Sequence, residues 1–388
     1  MRRAVLLVLL AAGCGGARGK GSTAGASGGA DDSAAVEAFQ RGDFDRAEAL
    51  LRGAPDLESG LIRVRILLLR NRNREAADLL GVLQRRYEKP KNVEELEILA
   101  RLEAELAHAY VRLDDFYNAA RIFHRLGEAV LAKKYESLMK TVGYLPDSRW
   151  EESRVELVAT DPLPLVPVEV NGSTGLFIVD TGLDEVLIER EFARKARVAT
   201  IGLRTNEFQR NYDESFAESI AIGSMRVRNV PVHLGELPPV AGVRAEGAIG
   251  LSFLMHYDFT IDFRRQRLIL RKAGSPPPPG GSMALLAGDR NLLVEGTANG
   301  TRVFVGLNSA LTGVTVAASQ AYIQQRAEEV RELSVGAIRL SKPSLDTRNF
   351  PMGLDVSYGF PIGFVLGHGA LRNRSLRVEP RSMRAWLE

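Results

Sequence analysis

The sequence predicts a multidomain chain, an all-α array of helical hairpins followed by two mainly-β lobes. Three observations lead there. From Ala34 to about Val142, apolar residues recur at three- and four-residue spacing and Gly and Pro are sparse, as in amphipathic helices. From 153 to 272, short runs of Val, Ile and Leu are broken by Gly, Pro and Asn, as in strands and turns; the same texture resumes to the C-terminus. Between the two β-rich stretches lies Ser275-Pro276-Pro277-Pro278-Pro279-Gly280-Gly281, whose four prolines favour a stiff extended linker. The expected divisions are a helical domain over 34–146, lobe 1 over 150–272, a linker over 273–284 and lobe 2 over 285–388.

The N-terminus carries a second signal. Met1-Arg2-Arg3 is basic, and Ala4 to Ala12 is an apolar run too short to span a bilayer, the order of a secretory signal. Leu10-Ala11-Ala12-Gly13-Cys14 resembles a bacterial lipobox, although Leu10 stands one place further from the cysteine than the pattern prefers. Cys14 is the only cysteine, so no intramolecular disulfide explains it. The resemblance implies a signal over 1–14, a lipid on Cys14 and an exported bacterial lipoprotein anchored in the cell envelope. An ordinary cleaved signal is the alternative. Residues 15–33, dominated by Gly, Ser and Ala, read as a flexible tether.

Composition excludes several classes. Apolar residues make up 45% and charged residues 26%, enough for a sizeable core. The net charge is +3 and no basic block is interleaved with aromatics, so no nucleic-acid partner is expected. The histidines at 108, 124, 233, 256 and 368 lack metal-ligand spacing, and there is no Gly-rich phosphate loop or Gly-x-Ser-x-Gly elbow. No metal and no cofactor are expected. Ser215, His233 and Asp213 lie near one another in sequence with nothing to orient them as a triad, and Asp258 and Asp262 read as turn and strand-end residues.

Within the helical domain, Gly42-Asp43-Phe44-Asp45-Arg46-Ala47 resembles the turn of a tetratricopeptide repeat. Leu113-Asp114-Asp115-Phe116-Tyr117-Asn118-Ala119-Ala120 is a second copy, and Asn73-Arg74-Glu75-Ala76-Ala77 a weaker third. The array reads as degenerate and modular, with its own core, so that residues 144–388 would fold without it. A spacer and a protein-binding surface are both open readings for it.

The two β-rich units repeat one pattern. Asn171-Gly172 and Asn299-Gly300 are hairpin signals 128 residues apart, and Asp180 and Asn308 are separated by the same 128. Ile222-Gly223-Ser224-Met225 pairs with Val335-Gly336-Ala337-Ile338, Ile249-Gly250-Leu251 with Ile362-Gly363-Phe364, and Ile261-Asp262-Phe263-Arg264 with Val378-Glu379-Pro380-Arg381. Four landmarks in one order imply an internal duplication. In lobe 1, Phe177-Ile178-Val179-Asp180-Thr181-Gly182 resembles the active-site strand and turn of aspartic proteases. The continuation Leu183-Asp184-Glu185-Val186-Leu187-Ile188 is similar to the retropepsin form, and Gly247-Ala248-Ile249-Gly250-Leu251 to the family's second apolar-Gly segment. The resemblance makes the β-rich units acid-protease-like lobes.

That family hydrolyses peptides with two carboxylates sharing a proton around one water. The resemblance implies a catalytic site at Asp180, Thr181 and Gly182, with the Thr181 hydroxyl bonding to the other lobe. It implies a substrate-backbone contact for Asp184, for which a solvated turn acid is the equal alternative. Lobe 2, however, has Asn308-Ser309-Ala310 where lobe 1 has Asp180-Thr181-Gly182, and Thr312 opposite Asp184. An amide matches a carboxylic acid in size but cannot exchange a proton, and Ala310 in place of Gly182 threatens the turn itself. Three functions are therefore expected to compete: an aspartic-type endopeptidase, completed by a homodimer pairing Asp180 of two chains; a pseudopeptidase binding peptides between the lobes, with Asn308 in the binding site; and a scaffold acting through the helical array.

Overall fold

Seven helices lead the described part of the chain in the computed structural model: α1 (Gly29–Gln40), α2 (Phe44–Leu50), α3 (Leu57–Leu69), α4 (Asn73–Arg86), α5 (Val93–Arg112), α6 (Phe116–Leu126) and α7 (Ala129–Leu138). The described residues are 29–53, 56–89, 91–146, 150–205, 211–240, 242–274, 281–288, 291–326, 329–354 and 358–388. Cys14 and most of the expected tether lie outside them, and α1 starts inside the segment read as tether. Among the described residues no helix is long and apolar enough to cross a membrane.

Four of the links between helices are one recurring turn. Gly42, Asn71, Asp114 and Gly127 each adopt a left-handed φ, of 73°, 55°, 55° and 77°. In each, the amides of that residue and the next bond back to the end of the preceding helix, a left-handed helix stop. Asp43 and Asp115 then cap the following helix through side-chain bonds to Arg46 N and Asn118 N. Ala47, Ala76, Ala119 and Ala132 fall at the same place after each turn and are fully buried, where a small residue lets paired helices approach. The sequence reading found three of these turns; Gly127 to Ala132 is the fourth.

The β-rich part is doubled. In lobe 1, β3 (Leu165–Val170) and β4 (Ser173–Val179) form a hairpin through Asn171-Gly172, and in lobe 2, β13 (Leu292–Ala298) and β14 (Thr301–Leu307) do so through Asn299-Gly300. All four turn residues have positive φ, which Asn and Gly tolerate best. β9 (Gly247–Ile249) lies parallel to β4 and antiparallel to β5 (Val186–Glu189). β19 (Ile362–Leu366) stands in the same relation to β14 and β15 (Val316–Ala318). In lobe 1 the long hairpin of β7 (Asn211–Ile222) and β8 (Met225–Gly235) continues the sheet, with β6 (Gly202–Thr205) on its edge. Among the described residues, lobe 2 has only β16 (Glu332–Val335) and β17 (Ile338–Ser341) there.

Six strands join the halves. β2 (Glu152–Glu156), β11 (Arg267–Arg271) and β10 (Asp258–Asp262) come from lobe 1; β20 (Ser375–Glu379), β21 (Arg384–Leu387) and β12 (Met283–Leu286) come from lobe 2. They run in that order, with β10 antiparallel to β20. One apolar core, from Val166 and Phe177 through Phe259 to Val378 and Leu387, passes through both lobes.

The strand pairing corrects one expected correspondence. Asp180 N bonds Ile249 O, and Asn308 N bonds Leu366 O, at 3.0 and 2.9 Å. The counterpart of Ile249-Gly250-Leu251 is therefore Leu366-Gly367-His368, not Ile362-Gly363-Phe364. A Cβ on Gly250 would meet Glu185 O, and one on Gly367 would meet Val314 O, so both places exclude a side chain.

The helical domain is not free-standing as expected. It has its own core around Leu80, Leu102, Phe116 and Leu138. A second core, however, is shared by Phe39, Phe44, Ala47, Ile66 and Leu69 of α1–α3 with Leu293, Phe304, Phe360 and Val365 of lobe 2. α7 sends Lys134, fully buried, into lobe 1.

Candidate active site

The site is built where the two half-sheets present their β4 and β14 ends to each other. Asp180 follows β4 and Asn308 follows β14, each with its amide tied to the adjacent strand as described. Gly182 N donates to Asp180 Oδ1 at 2.8 Å, and Ala310 N donates to Asn308 Oδ1 at 3.0 Å. The two turns are thus the same turn. Ala310 does not prevent it, contrary to expectation, because neither Gly182 nor Ala310 has a positive φ there. Gly182 is needed for space instead: a methyl group on it would collide with Asn308 Nδ2. With Oδ1 held by Ala310, the Asn308 NH2 group faces the lobe 1 turn.

Thr181 and Ser309, both fully buried, clamp the turns together. The Thr181 hydroxyl donates to Leu307 O at 2.8 Å and accepts from Ser309 N at 2.9 Å. The Ser309 hydroxyl donates to Val179 O at 2.6 Å and accepts from Thr181 N at 3.0 Å. The serine supplies the same two bonds as the threonine.

Burial pushes the Asp180 carboxyl up to about 6, opposed only in part by the Gly182 N–H. Asp184 is half-buried, its carbonyl accepts from Ser252 N at 2.8 Å, and its charge bears on His108 and Arg112 of α5 and on Tyr135 of α7. In lobe 2, the buried His368 occupies the place of Leu251; its Nδ1 lies 3.2 Å from Ser309 O, and burial lowers its pKa, so a neutral ring donating from Nδ1 fits. Sequence reading missed this support, because a histidine in a run resembling an apolar-Gly segment gives no sign of what it faces.

It also missed the buried ionic cluster under the loop that follows Gly182. Lys134 Nζ donates to Glu185 Oε2 at 2.6 Å and Glu214 Oε2 at 2.7 Å. His233 Nε2 lies 3.1 Å from Glu214 Oε2, and Tyr135 OH reaches Glu185 Oε1 at 3.3 Å. Glu185, Glu214 and His233 are close enough to hold a metal ion, yet the Lys134 ammonium bonds both carboxylates and supplies the positive charge itself. His233 is thus not isolated, but it belongs to no triad: Ser215 Oγ donates to Ala199 O and Asp213 pairs with Arg190. Asp262 ends β10 and accepts from Arg265 N across the turn that follows; Asp258 is not a turn residue but the first of β10, and accepts from the distant Gly274 N.

Residues 166–253 match the family model described as aspartyl protease, so this stretch is an aspartyl-protease-type domain. The chain is similar to a retropepsin-like aspartic protease from Rickettsia conorii, with 24% identity over 31% of this chain and 90% of that one, at a TM-score of 0.25. It is similar also to basic 7S globulin from soybean, with 11% identity over 61% of this chain and 94% of that one, at a TM-score of 0.39. No curated protein matches the sequence.

Proposed function

We propose that the protein binds an extended peptide segment beside Asp180 and does not hydrolyse it. One observation carries this reading: Asn308 Oδ1 takes the Ala310 N–H just as Asp180 Oδ1 takes the Gly182 N–H. The amide therefore stands where the chemistry requires the second carboxyl, and no proton is available to be shared. Below about pH 6 the Asp180 carboxyl is protonated and offers an O–H to a peptide carbonyl. The Ser309 turn fills, within one chain, the place that a second copy's Asp180 turn would take in a homodimer.

The second reading is an aspartic-type endopeptidase, favoured by an Asp180 carboxyl near 6, a value suited to a general base. Asn308→Asp separates the two. Because the Ala310 turn is already formed, this single change should restore a coupled pair and confer cleavage of a quenched peptide library between pH 3 and 7, abolished by adding Asp180→Ala. Cleavage by the unaltered protein would sink the binding-only reading; a rate rising as the square of its concentration would point to pairing between chains. Lipidation at Cys14 would hold the site at the envelope. The helical domain, which resembles tetratricopeptide hairpins, would take a protein partner; exposed Val82, Val93, Leu96 and Tyr117 support that role.

A further inference from the structure

The helical domain is footed on both lobes, and α5 lies between the footings. On lobe 1, Asp114 Oδ2 in the turn after α5 lies 3.2 Å from His256 Nε2, and Lys134 and Tyr135 of α7 bond Glu185. On lobe 2, Leu69 O at the end of α3 accepts from Ala287 N at 2.7 Å, and Asn71 Nδ2 donates to Pro380 O at 3.3 Å. Arg112 joins the two footings, its Nη1 donating to Leu68 O at 3.3 Å. One face of α5 carries Glu105, His108 and Arg112 at three- and four-residue spacing. Glu105 pairs with Arg65 of α3 at 3.5 Å. Groups of both lobes act on the other two: Asp184 and Arg204 of lobe 1 on His108, and Asp184 of lobe 1 and Tyr358 of lobe 2 on Arg112.

The space between this face and the Asp180 turn is a recess that water reaches. Asp180, Gly182, Leu183, Asp184 and Arg112 are half-buried and His108 is exposed, whereas Ile178 and Ala248 of lobe 1 are buried. Desolvation nevertheless raises the Asp180 pKa and lowers those of His108 and Arg112. A side chain that meets water and is still desolvated has protein on several sides of it, as in a cleft. The recess also favours an anion. Glu105, Tyr358 and Asp184 restore only part of what desolvation takes from the Arg112 cation. Its planar fork of N–H donors matches a carboxylate.

We propose that the recess between Asp184 and α5 is a carboxylate subsite at one end of the Asp180 site, with Arg112 taking the charge and His108 at its mouth. This rests on the peptide-binding reading of the site. A peptide bound beside Asp180 and running past Asp184 meets α5. The carboxylate is therefore the one that ends the chain, and the ligand is a peptide C-terminus rather than a stretch within a longer protein.

The test uses the full chain with Cys14→Ser at about pH 5, where a terminal carboxylate is ionised. A fluorescein-labelled octapeptide of uncharged residues is prepared as the free acid, as the C-terminal amide, and as an amide whose last residue is glutamate. Binding is followed by anisotropy. The free acid should bind about tenfold tighter than the plain amide, as a charge-assisted bidentate bond would give. Arg112→Gln should bring acid and plain amide within about twofold of each other, and Arg112→Lys should keep part of the preference. His108→Glu sets a rival carboxylate at an exposed position and should abolish the preference too, which covers a failure of Arg112→Gln to fold. A glutamate amide as weak as the plain amide supports the chain end as occupant. One as tight as the free acid supports the carboxylate subsite and overturns the choice of the chain end. Equal binding of all three peptides, weakened alike by Asp180→Ala, would overturn the subsite and leave the peptide-binding reading standing. Binding of none of them would sink both.

Discussion

Thr181 and Ser309 lie 128 residues apart in sequence, and each accepts the other's backbone amide on its hydroxyl while donating to a carbonyl of the other's strand. The exchange is reciprocal and fully buried, so neither residue can be replaced without stranding polar groups of the other lobe.

Thr181→Val should accordingly cost more than the loss of one bond. It leaves Ser309 N–H and Leu307 C=O without partners in a dry site, each worth about 1–3 kcal/mol. Urea unfolding should register a loss of about 2–4 kcal/mol. A loss below about 1 kcal/mol would mean that water replaces the hydroxyl and that the clamp is not closed.

Lys134→Met should be worse, because it strands two carboxylates. Breaking a buried ion pair costs about 3–5 kcal/mol. The deficit should depend on pH. The Glu214 pKa is held down by Lys134 and His233, so its contribution is present above the unfolded value near 4.5 and is lost as the pH falls. The His233 pKa is raised by Glu185 and Glu214, so its contribution is full below the unfolded value near 6.5 and is lost as the pH rises through its folded value. Wild-type stability should therefore peak between about pH 5 and 6.5. The gap to Lys134→Met should narrow at pH 4, where Glu214, no longer held down by the lysine, can take a proton in the variant.

Asp180 provides the opposite case. Its folded pKa, about 6, lies above the ordinary aspartate value of 3.8, so it costs stability progressively as the pH rises through that interval. Asp180→Asn should match wild type near pH 3.5 and exceed it by about 2–3 kcal/mol at pH 8. Thermal melts at the two pH values check this; equal stability at pH 8 would mean the carboxylate is solvated.

A fragment of residues 144–388 should not fold as a soluble unit. Removing α1–α7 would expose Leu293, Phe304, Phe360 and Val365 and leave Glu185 and Glu214 without Lys134. A fragment that is soluble, unfolds cooperatively and keeps wild-type near-ultraviolet ellipticity would contradict this.

How far the sequence could be read follows from what each feature leaves locally. The Asn-Gly turns and the Asp180 strand are visible because their backbone demands particular residues at fixed spacing. The second apolar-Gly segment of lobe 2 was misplaced by four residues because lobe 2 offers two glycines, Gly363 and Gly367. Ile362-Gly363-Phe364 looks more like its lobe 1 relative, yet only Gly367 sits where a carbonyl excludes any side chain; at Gly363 a Cβ meets the Tyr322 ring. Docking of the helices left no such trace. Lys134 is an ordinary lysine on a helix, and Phe44 reads as part of a repeat turn. Their partners are 51 to 316 residues away, and nothing near them in sequence names those partners.

The register of β10 on β20 places Phe259 opposite Val378, Thr260 opposite Arg377 and Ile261 opposite Leu376. Under the duplication these pairs are equivalent residues exchanged across an axis: Thr260 faces its own counterpart, and the neighbouring pairs swap places. Such a contact is self-complementary, the kind by which two identical chains associate. Two separate single-lobe chains would meet there by mass action and come apart on dilution. Joining them in one polypeptide replaces that equilibrium with a fixed local concentration, and it frees each half to diverge: one kept its aspartate, and the other packs a face of its sheet against α1–α3.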